Sequence, residues 1–180
     1  IGFEAQTGYG VYSDPNLWRR GIEEAQAHNL WLFLGHGGGT TNIDGNGWAA
    51  RTEDDFKNTF AYAAVRLAQD YDNVYLGLGY IFDILEEHGA DAYDRFTRRL
   101  ASHILQDKPA EAKYHIRDKL CYGTDWSMPN AIGRTRKYLE AFYEFFDDLE
   151  GNHGAPASFG ANFFEGNARR FLGLSQVPIV

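Results

Sequence analysis

The feature that most constrains the fold is the alternation of short apolar runs with amphipathic helical segments along the chain. The runs at residues 30–34, 73–79 and 120–122 are typical of strands. They contain almost no polar side chains, which is the pattern of strands covered on both faces of a parallel sheet. Residues 1–6 offer a fourth strand. The order of these segments predicts a parallel sheet covered by helices.

The helices are predicted from their starting signals and their apolar faces. Pro15 follows the capping side chain of Asp14, and Thr52 begins a segment that resembles a capping box. Behind each start, apolar residues recur at helical spacing. Helices are therefore expected at residues 15–28, 52–71, 80–88, 91–106, 138–149 and 161–172.

This pattern predicts an α/β fold that is only part of a larger sheet. A closed eight-stranded barrel takes about 250 residues, which is more than this chain has. We therefore expect the C-terminal portion, about strands 5–8, of a (β/α)₈ TIM barrel. Residues 1–180 are expected to form a single domain or a domain fragment.

The composition of the chain restricts the classes of partner that it can bind. The formal net charge of −8 disfavours binding to nucleic acid, because an acidic surface repels phosphate backbones. Four basic clusters are interpreted as solvated helix faces. They lie at Arg19-Arg20, Arg98-Arg99, residues 134–137 and Arg169-Arg170. We expect a small-molecule substrate and no nucleic-acid partner. A homo-oligomer is compatible with this composition.

The single cysteine and the absence of a long apolar run bear on the compartment. Cys121 lies in the apolar segment 120–122, which favours a buried structural thiol over a nucleophile. With one cysteine the chain has no intrachain disulfide. No run approaches the roughly 20 apolar residues that span a bilayer, and no secretory signal is visible. The expected location is the cytoplasm, without a membrane partner.

Two polar residues follow predicted strands at the position where parallel α/β proteins carry their chemistry. His36 comes just after the run 30–34, and Asp125 comes just after the run 120–122. Carboxyl ends of parallel strands meet at one edge, so the two side chains are expected to converge. Imidazole and carboxylate are both zinc-type ligands, and a carboxylate can also accept a proton from water. His36 and Asp125 are therefore the candidate catalytic and metal-binding residues. Alternatively, His36 is a loop residue and Asp125 caps a turn.

The loop after the first of these strands has the spacing of a second kind of metal site. Asn42, Asp44, Asn46, Gly47 and Glu53 follow the spacing of a calcium loop. The preceding segment is a strand, and only two carboxylates are present, so calcium binding would be weak. A Gly- and Asn-rich loop that covers the mouth of the expected barrel is the preferred interpretation.

Several motifs together resemble the amidohydrolase superfamily, in its amidohydrolase-related branch. They occur in the family's order and cover about residues 30–174. The motifs are Leu34-Gly35-His36-Gly37-Gly38, Asn73-Val74-Tyr75, Tyr122-Gly123-Thr124-Asp125-Trp126 and Gly166-Asn167-Ala168-Arg169-Arg170-Phe171-Leu172-Gly173-Leu174.

The resemblance implies a metal-dependent hydrolase in which metal-activated water attacks an amide, ester or lactone. It makes Asp125 a metal ligand and proton acceptor, and His36 a metal ligand or a holder of water and substrate. The expected cofactor is a divalent metal, zinc foremost, with manganese or iron as alternatives. The family's first-strand His-x-His pair is absent, and Glu4 or Gln6 stands near the place of its fifth-strand histidine. Two alternatives remain open: a non-oxidative decarboxylase using the same metal site, and a non-catalytic barrel remnant that acts as a binding or assembly module.

Overall fold

A small parallel sheet lies at the centre of the chain in a computed structural model that describes residues 14–38, 47–125, 127–131 and 133–174. Its strands are β1 (Leu32–Leu34), β2 (Val74–Gly77) and β3 (Leu120–Cys121), in the order β1-β2-β3. Both pairings are parallel. All three strands therefore end at the same edge of the sheet.

Helices make up most of the remaining described residues. The α-helices are α1 (Arg19–Ala27), α2 (Glu53–Lys57), α3 (Phe60–Asp70), α4 (Ala90–Leu105), α5 (Ser127–Ala131), α6 (Thr135–His153), α7 (Ser158–Ala161) and α8 (Asn167–Phe171). A π-helix (Asn162–Gly166) joins α7 to α8. Short 3₁₀ turns are found at Pro15–Trp18, His36–Gly38, Phe82–Ile84, Glu86–His88 and Ile116–Asp118.

The first helices begin where their local chemistry predicts. Asp14 accepts a hydrogen bond from the backbone N–H of Asn16, beside Pro15 at the first position. The side chain of Thr52 accepts from the N–H of Asp55, whose carboxylate accepts in return from the N–H of Thr52. These reciprocal bonds satisfy donors that a helix start leaves unpaired.

The long helix expected behind Thr52 is instead divided into α2 and α3. Thr59 lies between them, and its hydroxyl donates to the carbonyl of Phe56 and accepts from the N–H of Tyr62. A threonine side chain that bonds the backbone on both sides ends one helix and caps the next. The cap directs α3 onto the sheet, where Ala64, Leu67 and other residues of one face are buried.

The core is formed by β2, one face of α3 and the aromatic faces of α4 and α6. Every residue of β2 is buried. The larger side chains packed around it include Phe56, Phe96, Leu100, Tyr138, Phe142 and Phe163, all nearly inaccessible to solvent. Burying rings of this size supplies much of the hydrophobic stabilisation of a domain.

Strand β1 is not covered on both faces, so the prediction from its apolar run is wrong. Trp31 and Phe33 are each 43% exposed. Leu32 and Leu34 point the other way and pack against the core, in the alternation that a strand imposes. An apolar run can therefore report one buried face and one exposed aromatic face.

The prediction of part of a TIM barrel is also wrong. The described residues form a mixed α/β fold in which helices predominate around three short parallel strands. Beyond the end of β3, the N–H of Tyr122 donates to the carbonyl of Phe163 in the π-helix. The helical segment therefore satisfies a backbone N–H that would otherwise have been available to pair with a further strand. The proposed strand at residues 1–6, with Glu4 and Gln6, lies outside the described residues.

Within the described ranges, no helix has both the length and the apolar character needed to cross a bilayer.

Candidate functional site

Each of the three strands is followed by a residue in an uncommon backbone conformation. His36 after β1, Tyr80 after β2 and Asp125 after β3 have φ angles of 56°, 55° and 46°. Non-glycine residues rarely adopt positive φ, although His and Asp do so more readily than Tyr. Such conformations cost about 1–3 kcal/mol each and cluster at functional sites. The carboxyl edge of the sheet is therefore the candidate site.

The side chains of His36 and Asp125 lie close together at this edge. Nε2 of His36 is 3.9 Å from Oδ2 of Asp125, and the two side chains are 30% and 36% exposed. This distance is too long for a direct hydrogen bond. On its other side, Oδ1 of Asp125 faces the hydroxyl of Ser127 at 3.5 Å. The pair is thus open to solvent.

The contact made by Nδ1 of His36 determines whether Nε2 of the same ring has a lone pair available to a ligand. Nδ1 lies 3.2 Å from the carbonyl oxygen of Gly79, just past the end of β2. Because a carbonyl only accepts hydrogen bonds, this contact is a hydrogen bond when Nδ1 carries the proton, and a neutral ring in that tautomer keeps its lone pair on Nε2. That lone pair faces the region of the Asp125 carboxylate. Two acceptors in this arrangement are stabilised by a cation or a proton between them.

A buried tryptophan fixes the backbone next to His36. Nε1 of Trp48 donates to the carbonyl oxygen of Gly37 at 2.9 Å. Gly37 has a φ of 60°, and a Cβ at this position would lie 2.6 Å from Nε1 of Trp48. Glycine is therefore required both by the backbone angle and by the close approach of the indole.

A buried tyrosine fixes the backbone around the carbonyl that His36 contacts. The hydroxyl of Tyr138, on α6, donates to the carbonyl of Leu78 at 2.5 Å and accepts from the N–H of Ile81 at 3.2 Å. These partners flank Gly79 and Tyr80. Burial raises the pKa of Tyr138 well above that of an exposed phenol, so the hydroxyl stays a donor. The ring of Tyr80 also meets that of His36 edge-on, with centroids 6.2 Å apart.

The donor set fits a divalent metal in part. The described residues contain no group of three or more His, Cys, Asp or Glu side chains arranged to hold an ion. His36 and Asp125 supply two zinc-type donors, whereas catalytic zinc sites generally use three protein ligands. The backbone contact to Nδ1 is of the kind that orients ligand histidines. Of the calcium-loop residues, Asn42, Asp44 and Asn46 lie outside the described residues.

Two other reactive groups lie away from this pair. Cys121 is fully buried, and burial raises the pKa of its thiol to about 12, which makes it a poor nucleophile. Burial lowers the pKa of Lys119 to about 8. Lys119 precedes β3, at the amino end of the strand, and its Nζ donates to the carbonyl of Asp72 at 2.6 Å. Its perturbed pKa therefore marks a buried structural contact.

Three histidines outside the pair have structural partners. His103 packs against the rings of Trp48 and Phe56. His115 caps a 3₁₀ turn through Nδ1. His153 pairs with Asp148 at 3.6 Å near the exposed end of α6.

The sequence predicts that His36 and Asp125 converge at one edge of the sheet, as they do, but it gives no indication of the contacts of Tyr80, Trp48 and Tyr138. Tyr80 carried no local signal, because nothing in its neighbourhood predicts a positive φ. The apolar helix face that the sequence predicts for Tyr138 is correct for its ring but says nothing about its hydroxyl. Trp48 follows Gly47 in a loop, and its partner at Gly37 is determined by tertiary packing.

Comparison with known proteins found no matching family model, no matching curated protein and no matching solved structure.

Proposed function

We propose that the chain carries the site of a metal-dependent hydrolase that acts on an amide, ester or lactone, with His36 and Asp125 as metal ligands. The observation that carries the proposal is the orientation of His36. Its Nδ1 is engaged by the Gly79 carbonyl, which leaves the lone pair of Nε2 beside the Asp125 carboxylate. The motif resemblance to the amidohydrolase superfamily supports the same chemistry, although the barrel that it implied is absent from the described residues.

His36 and Asp125 would have different roles in the proposed reaction. His36 would act as a fixed ligand, since the bond from Nδ1 prevents its ring from rotating. Asp125 has a second carboxylate oxygen toward Ser127 and solvent, from which it can accept a proton from water. A divalent ion held there, zinc foremost and otherwise manganese or iron, would lower the pKa of water and polarise a substrate carbonyl. With two protein donors, positions remain for water and a small-molecule substrate. The proposed location is the cytoplasm.

The test uses variants that keep the unusual backbone. His36→Asn and Asp125→Asn both introduce a residue that tolerates positive φ, so loss of binding is not a result of backbone strain. Zinc, manganese and iron affinity is measured by competition with a chromophoric chelator, and hydrolysis is assayed on panels of esters, lactones and amides. We expect metal-dependent hydrolysis that falls about a hundredfold or more in either variant.

A second exposed His–Asp pair among the described residues offers a matched control. His153 and Asp148 lie at a similar distance but on a helix, away from the strand ends. His153→Gln and Asp148→Asn should leave metal affinity and hydrolysis unchanged. Absence of both metal binding and hydrolysis in the unsubstituted protein would contradict the proposal and favour a non-catalytic module. Release of carbon dioxide from aromatic or unsaturated acids without hydrolysis would favour the decarboxylase.

A further inference from the structure

A cavity of about 550 Å³ lies between α4 and the segment that leads into α2. It is lined by Arg51, Glu53, Arg95, Arg98, Arg99, Ser102, His103 and Gln106. The lining has four arginines and a single carboxylate, although the chain as a whole has a net charge of −8. It shares no residue with the His36–Asp125 pair. A concentration of positive charge in a concave surface attracts anions.

Arg99 is the structural centre of this cavity. Its side chain is only 10% exposed. Its guanidinium donates to the carbonyls of Trp48, Ala50 and Thr52 and lies over the ring of Phe56. The interpretation of Arg98-Arg99 as a solvated helix face is therefore wrong for Arg99. By binding three carbonyls of one loop, Arg99 fixes that loop, and Arg51 within it, against α4.

Within the described residues, Arg51 and Arg95 retain free donors. Nε of Arg95 donates to the carbonyl of Ala49 at 2.7 Å, which leaves its terminal nitrogens for another partner. Among the described residues no acceptor bonds these nitrogens or the guanidinium of Arg51. Arg98 is largely exposed, and it is held to Asp94 at both ends of its guanidinium: Nε donates to the backbone carbonyl, and a terminal nitrogen lies 3.7 Å from the carboxylate. Arg51 and Arg95 are thus the donors available to a ligand.

The charges in the cavity are close enough to influence one another. Burial is the main cause that lowers the pKa of Arg99, and the positive charge of Arg95 lowers it further, against the opposing effect of Glu53. Burial likewise lowers the pKa of His103, and Arg99 adds to this effect. Like charges held together by a fixed loop repel each other, and an anion between them relieves that repulsion.

We propose that this cavity binds a small anionic ligand that carries a phosphate group, with Arg51 and Arg95 as its main contacts. The planar guanidinium fork matches phosphate oxygens and can donate two hydrogen bonds at once. Ser102 and Gln106 provide neutral polar groups for the remainder of the ligand. The volume lies in the range of small-molecule sites, and the acidic surface elsewhere disfavours a nucleic-acid backbone.

The test is calorimetric titration of the purified chain with inorganic phosphate and with phenyl phosphate, at constant ionic strength. We expect saturable binding, which weakens about tenfold or more in Arg51→Gln and in Arg95→Gln, because each loses charge-assisted hydrogen bonds. Arg51→Gln removes no bond within the described structure, so it separates ligand binding from folding. Arg136→Gln is the control, since this exposed arginine on α6 pairs only with Glu140 among the described residues.

The control variant should bind both probes as the unsubstituted protein does. No saturable binding of either probe would overturn the proposal. An equal loss in Arg136→Gln would also overturn it, because it would show attraction by overall charge. Tighter binding of a short single-stranded oligonucleotide than of phenyl phosphate would also contradict the proposal. It would show that the arginines form a surface for polyanions and not a site for a small ligand.

Discussion

Nε1 of Trp48 donates a hydrogen bond of 2.9 Å to the carbonyl oxygen of Gly37, and both residues are buried. The bond joins the loop before α2 to the residue that follows His36. The carbonyl of Trp48 accepts in turn from Arg99 on α4. The position of His36 at the strand ends therefore depends on packing between segments that are distant in sequence.

Replacing Trp48 with phenylalanine should be costly although an aromatic ring remains. Trp48→Phe leaves the buried carbonyl of Gly37 without its donor, which costs about 1–3 kcal/mol, and the smaller ring adds a packing loss. The free energy of unfolding from urea denaturation measures the effect. The control is Trp31→Phe, at the half-exposed tryptophan just before β1, which should change this free energy by less than about 1 kcal/mol. Equal losses in the two variants would contradict the structural role of the Trp48 bond.

Removing the hydroxyl of Tyr138 should destabilise the segment that contains Gly79, whose carbonyl contacts Nδ1 of His36. Tyr138→Phe keeps the buried ring but leaves the N–H of Ile81 and the carbonyl of Leu78 without this partner. The expected loss is about 1–3 kcal/mol in the free energy of unfolding. Tyr143→Phe is the control, because that ring stacks on Phe164 and is about half exposed. Its change should stay within about 0.5 kcal/mol.

Local chemistry made the helix starts predictable. Asp14 with Pro15, and Thr52 with Asp55, form their caps from neighbours in sequence, so the signal lies within a few residues. The capping threonine at Thr59 was also visible in the sequence. The apolar spacing continues through Thr59 into α3, so the pattern alone predicts one uninterrupted helix.

Burial and backbone strain were less predictable because they depend on tertiary contacts. The apolar run of β1 does not reveal that Phe33 faces outward. The charge of Arg99 does not reveal that it bonds three carbonyls of another loop. The site pair itself followed from topology, since residues after parallel strands share an edge. The larger barrel did not follow, because a strand–helix alternation does not specify how many strands a sheet contains.

Two histidines, the buried His115 and the partly buried His103, should make the protein less stable in mild acid. Burial is the main cause that lowers the pKa of His103 and of His115 from the usual 6.5. Below about pH 6.5, the unfolded chain therefore takes up protons that the folded chain does not. The contribution of these groups is fully present above that pH, and it is lost as the pH falls. The geometry of His115 agrees, since its Nδ1 accepts from the N–H of Arg117 and a protonated nitrogen could not.

Variants of these histidines separate their contributions. His103→Phe preserves packing against Trp48 and Phe56, and His115→Asn keeps an acceptor for the N–H of Arg117. The free energy of unfolding is measured between pH 5 and pH 8. Each substitution should reduce the acid-induced loss, and the double variant should reduce it most. An acid dependence identical to that of the unsubstituted protein in the double variant would show that other groups cause it.

Gly37 lies close to Trp48, so replacing it with alanine should destabilise the protein more than the same replacement at Gly154, which has a similar backbone angle. Gly37 and Gly154 have φ angles of 60° and 67°. A Cβ at Gly154, which ends α6, meets nothing within 4 Å, whereas one at Gly37 lies 2.6 Å from Trp48 and 2.8 Å from Ile81. Gly154→Ala should therefore cost about 1–2 kcal/mol from the left-handed backbone alone. Gly37→Ala should cost a further 1–3 kcal/mol or so, because buried atoms must move. Urea denaturation of both variants measures the difference, and equal costs would mean that the indole does not pack on Gly37 as described.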